Sequence, residues 1–134
     1  MKVYALFCFV ISASAVVCLE VKPEIKQLWD AAVEPFRDEC TKSSGAQKAV
    51  VDDFFDHLNL IDDYPLKCVI KCVLDQLHIF DTSSKFNAVA MKDMMDEESF
   101  KVSQECDKKV TDSDKCVMAF EFVKCGLEGV AKFQ

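Results

Sequence analysis

The sequence predicts an all-α domain, and three observations carry that prediction. Glycine and proline are scarce, three of each in 134 residues. Apolar residues recur with a period near 3.6 in segment after segment, while alternating strand patterns are absent beyond chance. Six cysteines, Cys40, Cys68, Cys72, Cys106, Cys116 and Cys125, are separated by 27, 3, 33, 9 and 8 residues. The gap of three places Cys68 and Cys72 one turn apart on a single helical face. One helix can then be tied to two others, which implies a stapled helical cage.

Residues 1–18 read MKVYALFCFVISASAVVC, with Lys2 as a positive start and an apolar run from Val3 to Val17. The run is short for a membrane span and ends in small residues, as a secretory signal does. Cleavage after Ala13-Ser14-Ala15 would leave Cys18 as an odd thiol, so removal of 1–18 is the expected outcome. The remaining domain, 19–134, is 116 residues long; without Lys2, 15 basic side chains face 23 acidic ones, a net charge of −8. That balance repels nucleic acid.

Pro23 opens the first helix, whose stripe is Ile25, Leu28, Trp29, Ala32, Val33 and Phe36; Pro35 inside it predicts a kink before Cys40. Ser43 and Ser44 are candidate caps for a second helix burying Val50, Val51, Phe54 and Leu58. Asp63 and Pro65 predict the cap and first turn of a third, running through Leu66, Cys68, Val69, Ile70, Cys72, Val73 and Leu77. Asp81 to Lys85 is a polar turn, and Asn87 caps a short fourth helix with Val89, Met91, Met94 and Met95. The fifth, from about Glu97 to Lys108, bears Phe100, Val102 and Cys106. The sixth starts at Asp112 or Ser113, bears Cys116, Val117, Phe120, Val123 and Cys125, and is expected to stop at Gly126.

An even set of cysteines in a short exported chain reads as a disulfide framework, because bonds form and persist outside the cytosol. Six cysteines allow fifteen pairings. A Cys116–Cys125 bond would span roughly 13 Å of helix, and a Cys68–Cys72 bond would be strained within one turn. Excluding both leaves ten pairings open.

The cysteine spacing resembles that of the six-cysteine insect odorant-binding proteins, which have three residues between the second and third cysteines and eight between the fifth and sixth. Here these are Cys68-x3-Cys72 and Cys116-x8-Cys125. The resemblance covers the whole of 19–134, including helix order, acidic charge and leader. It implies six helices around a closed apolar cavity, with interlocked bonds Cys40–Cys72, Cys68–Cys116 and Cys106–Cys125. It also implies a cavity lined by the fourth helix, the start of the fifth, the inner face of the sixth and the C-terminal tail. On this sequence those regions supply Met91, Met95, Phe100, Val102, Phe120, Val123 and Phe133, with Leu74 and Val33 as further candidates.

Nothing in the chain favours chemistry at a metal or a nucleophile. Zinc sites use closer cysteine pairs or nearby histidines, and the only histidines, His57 and His78, lie at no ligand spacing from a pair. His57 follows Asp56, yet no nucleophile motif accompanies them. Three scattered glycines cannot build the calcium loop of a secreted phospholipase, and saposin-like lipid binders place their paired cysteines at the domain ends. The histidines read as surface residues, with pH sensing as the alternative role. Eleven phenylalanines and five methionines are a heavy apolar load; Met1, Phe7 and Phe9 leave with the signal. The Met91, Met94 and Met95 cluster suits a wall that moulds to varied ligands.

The expected protein is therefore a secreted, extracellular, monomeric or weakly dimeric carrier of small hydrophobic ligands, without cofactor, metal or catalysis. The resemblance leaves a membrane receptor open as a second partner. Carriage in sensory lymph is the first reading. The rivals are a non-olfactory carrier in haemolymph, saliva, venom or reproductive fluid, and a helical interaction protein with a filled core.

Overall fold

The computed structural model describes the backbone of residues 5–11 and 15–131 and the side chains of residues 21–131. Six helices follow one another: α1 (Pro23–Ser44), α2 (Lys48–His57), α3 (Tyr64–Gln76), α4 (Ala88–Met94), α5 (Glu97–Lys109) and α6 (Lys115–Ala131). Before them an antiparallel hairpin pairs β1 (Ala5–Ile11) with β2 (Ala15–Val21), in register from Ala5 opposite Val21 to Ile11 opposite Ala15. The sequence offered no alternating pattern there. A continuous apolar run with β-branched Val10, Ile11, Val16 and Val17 does not distinguish strand from helix by periodicity. The expected leader, residues 1–18, takes in β1 and the first four residues of β2, together with residues 1–4 and 12–14, which lie outside the described ones.

Local chemistry sets each helix boundary. Pro23 starts α1 at a position where its missing N–H costs nothing, and the helix continues through Pro35. It ends at Gly45 (φ 67°), whose N–H donates to the Lys42 carbonyl while the Ala46 N–H donates to the Thr41 carbonyl. Ser43 and Ser44, expected to cap α2, thus belong to the last turn of α1; α2 begins after Gln47 without a side-chain cap. Asp63, Asn87 and Asp96 cap α3, α4 and α5, accepting from the N–H groups of Leu66, Ala90 and Ser99 at 2.8, 3.3 and 2.8 Å. Asp114 accepts from Cys116 and Val117 at 2.9 and 3.1 Å, so α6 starts at Lys115, two or three residues later than expected. It also runs on through Gly126 and Gly129 to Ala131, because a glycine inside a packed helix is a cost of about 1 kcal/mol and no stop.

Helix α3 lies at the centre, packed against α1 and α6, with α5 against α6, α4 against α5 and α2 against α1 and α3. Its Leu66, Val69, Ile70, Val73 and Leu74 are all buried, in one core with Val51, Phe54 and Phe55 of α2 and Ala119, Phe120 and Phe122 of α6. Three disulfides lock this arrangement: Cys40–Cys72 joins α1 to α3, Cys68–Cys116 joins α3 to α6, and Cys106–Cys125 joins α5 to α6. Arg37 adds a polar tie from α1 to α2. Its guanidinium donates to Asp52 at 2.7 Å and Asp56 at 3.0 Å and lies 5.2 Å from the Phe55 ring centre. Although partial burial opposes the charge, bonds to both carboxylates raise the Arg37 pKa overall.

A candidate ligand cavity

The six helices leave between them a cavity of about 160 Å³. Helix α1 supplies Ile25, Leu28, Trp29 and Ala32 from successive turns of one face. Phe54, Leu58, Leu74 and Ile79 form the floor, and Met91, Met94 and Met95 line the wall at α4. On α6 the lining residues are Phe122, Val123, Gly126, Leu127 and Val130, again a single helical stripe.

Val21 of β2 closes one end, buried against Leu58 and packed with Ile25, Leu60, Leu127 and Ala131. Leu58 reaches this place at the price of a left-handed backbone (φ 53°) at the end of α2, a conformation that side chains with a Cβ rarely adopt. Burial of the whole Leu58 side chain offsets that cost. Leu28 lines the cavity and is 66% exposed, so the wall reaches the molecular surface there.

The polar lining is confined. Asp96, Ser99 and Ser103 fall at spacings of three and four residues along α5, and Lys26 comes from α1. The Lys26 ammonium is held by both oxygens of Asp30 at 2.6 Å. Among the described residues no group of three or more histidines, cysteines and carboxylates is placed to hold a metal ion.

Of the residues proposed from sequence, Leu74, Met91, Met95 and Val123 line the cavity. Val33 and Phe120 lie instead in the core, and Phe100 and Val102, partly buried, pack against it. Phe120 sits on the flank of the α6 stripe, about 90° from its centre at 100° per residue, beneath the Lys67 ammonium 5.0 Å away. Val102 turns toward α6, where it meets Gly129. Phe133 lies outside the described residues.

Ile25, Leu28, Trp29 and Ala32 of α1 were visible in the sequence as an apolar stripe and Phe54 as part of a buried face, but none of them was assigned to the cavity. Phe122 was missed because it stands two residues from Phe120; with Phe80 and Phe86 it forms an aromatic cluster at centroid distances of 5.2 and 5.7 Å. The histidines lie apart from the cavity: His57 pairs with Asp53 at 3.1 Å on the surface, and His78 is exposed in a left-handed turn.

A family model described as the PBP/GOBP family matches residues 23–129. Among solved structures, the fold resembles a pheromone-binding protein from the cockroach Leucophaea maderae, crystallised with the fluorescent reporter ANS. The TM-score is 0.63 at 18% identity, over 75% of this chain and 93% of that one. It also resembles an odorant-binding protein from Drosophila melanogaster, with a TM-score of 0.62 at 19% identity, over 81% of this chain and 97% of that one. No curated protein sequence matches. The family match begins at the first residue of α1, ends in the last turns of α6 and takes in the six cysteines of the three bonds described above, and the chain therefore belongs to the PBP/GOBP family.

Proposed function

We propose that the protein is an exported carrier that takes small apolar molecules into the cavity between α1, α4, α5 and α6, holds them away from water and returns them unchanged. The observation that carries this reading is the lining: a continuous apolar surface with its few polar groups on α5 and at Lys26. Such a site favours ligands by removing apolar area from water. A ligand burying roughly 250 Å², the area of one large aromatic side chain, gains about 6 kcal/mol at 25 cal/mol per Å². That is binding in the tens of micromolar before ordering costs. Removal of residues 1–18 and export fit the leader sequence, and the family's cysteine frame suits an oxidising compartment.

Trp29 is the only tryptophan and lines the cavity, so it supplies an internal reporter. The test is titration of the chain from Leu19 onward with ANS, the reporter held by the cockroach relative, followed by displacement with apolar compounds. Saturable ANS enhancement, reversed by competitors and accompanied by a change in Trp29 emission, is the expected result. A protein that neither enhances ANS nor shifts Trp29 emission is no carrier.

A further inference from the structure

Three of the four methionines in residues 19–134 stand on one wall of the cavity: Met91, Met94 and Met95 line it, whereas Met118 of α6 packs against the core. The six cysteines of α1, α3, α5 and α6 are bonded in pairs. In the chain from Leu19 onward these four thioethers are therefore the sulfur that an oxidant can reach. They differ in how each is held. Met91 is 3% exposed, and Met95 Sδ accepts from the Ser103 hydroxyl at 3.4 Å. Met94 is only half-buried, and its sulfur lone pairs engage no donor among the described residues. The cavity reaches the surface at Leu28, so a small solute can enter from water.

We propose that Met94 is an oxidation site through which peroxides unload the cavity. The inference rests on the carrier reading above. A lone pair of the Met94 sulfur attacks one oxygen of hydrogen peroxide and the O–O bond breaks. The proton on that oxygen passes through water to the departing hydroxide. The thioether is oxidised to a sulfoxide and the peroxide is reduced to one water, so atoms and electrons balance. Oxidation turns a flexible apolar side chain into a polar one. The new S–O dipole then stands in an otherwise apolar lining, where an apolar guest can cover it only by stripping its water. Helix α4 carries no cysteine and is seven residues long, so the change falls on a wall that the covalent frame does not hold.

The experiment treats the chain from Leu19 onward with hydrogen peroxide until intact mass shows one added oxygen per chain. Peptide mapping then locates the oxygen, and ANS titration compares each protein with its own affinity before treatment. The oxygen is expected first at Met94, with ANS affinity lowered about tenfold, the melting temperature little changed, and affinity restored by a methionine sulfoxide reductase. Saturation with ANS beforehand should slow oxidation at Met94 and not at Met118. Met94→Leu, a volume-conserving exchange between good helix formers, should lose far less of its own affinity under the same treatment, whereas Met118→Leu should lose as much as the unaltered protein. A first oxygen at Met118, or a protein oxidised at Met94 that binds ANS as before, overturns the inference and leaves the carrier reading standing. Failure of the untreated protein to bind ANS overturns both.

Discussion

Two glycines three residues apart on α6 make opposite predictions from one substitution. Gly126 lines the cavity, and a Cβ built there meets nothing within 4 Å; at Gly129 the same atom would lie 2.4 Å from Val102 Cγ1 of α5. Gly126→Ala therefore gains the helix preference of alanine, about 0.8–1 kcal/mol, with no clash to set against it. For a domain of this size that raises the melting temperature by about 4 °C. Gly129→Ala gains the same preference but must displace a β-branched side chain that a helix holds in one rotamer. Overpacking of this kind costs about 1–3 kcal/mol, so the net change is a loss of about 1 kcal/mol. Thermal and urea melts of both variants decide the matter. Adding Val102→Ala to Gly129→Ala should relieve the clash, leaving the double variant more stable than the sum of the two single effects. A Gly129→Ala protein that is as stabilised as Gly126→Ala would refute the close approach of α5 and α6. The two also separate in binding, since only the new methyl at residue 126 enters the cavity and should weaken the bulkiest ligands.

The chain-entropy account makes the Cys68–Cys116 bond, with 48 residues of separation, worth about 4 kcal/mol and the 19-residue Cys106–Cys125 bond about 3; paired serine substitutions followed by urea melts should rank them in that order. Phe120→Ala should cost about 3–5 kcal/mol as a core truncation while the folded fraction keeps its ANS affinity, whereas Met94→Ala should weaken ANS with little change in melting. Asp114 has its pKa lowered by the Val117 N–H, then by the Tyr64 hydroxyl at 2.9 Å. Its folded pKa lies below its unfolded one, so its contribution is present above the ordinary carboxylate range and lost as pH falls through the folded value. Acid unfolding of Asp114→Asn should accordingly be less steep below pH ~4 than that of the unaltered protein.

The helices were legible because their signals are local: Asp63 and Asn87 announce starts, and every long helix carries a 3.6-period stripe. The cysteine frame was legible through its spacing and the family resemblance, since residue geometry alone left ten pairings. The cavity was less legible. A residue bordering a void and a residue filling a core have the same apolar character in sequence, and only the packing separates Phe122 from Phe120 or Trp29 from Val33. Gly126 misled for a related reason. A glycine near the end of an apolar stripe looks like a cap, whereas here the helix passes through it and the missing side chain leaves space in the cavity wall.

The covalent frame is uneven. Its bonds run α1 to α3, α3 to α6 and α6 to α5, and neither α2 nor α4 carries a cysteine. Helix α4 is also the shortest, seven residues, yet with the residue that follows it brings three methionines to the cavity. Detaching it breaks no covalent bond and exposes little beyond Met91, its one buried side chain. Local opening there is thus far less costly than opening between the bonded helices. The chamber has fixed walls on most sides and one wall held only by packing, so its capacity and its rate of exchange are set by different parts of the chain. A change in α4 can alter how long a guest stays without altering which guests the bonded walls admit.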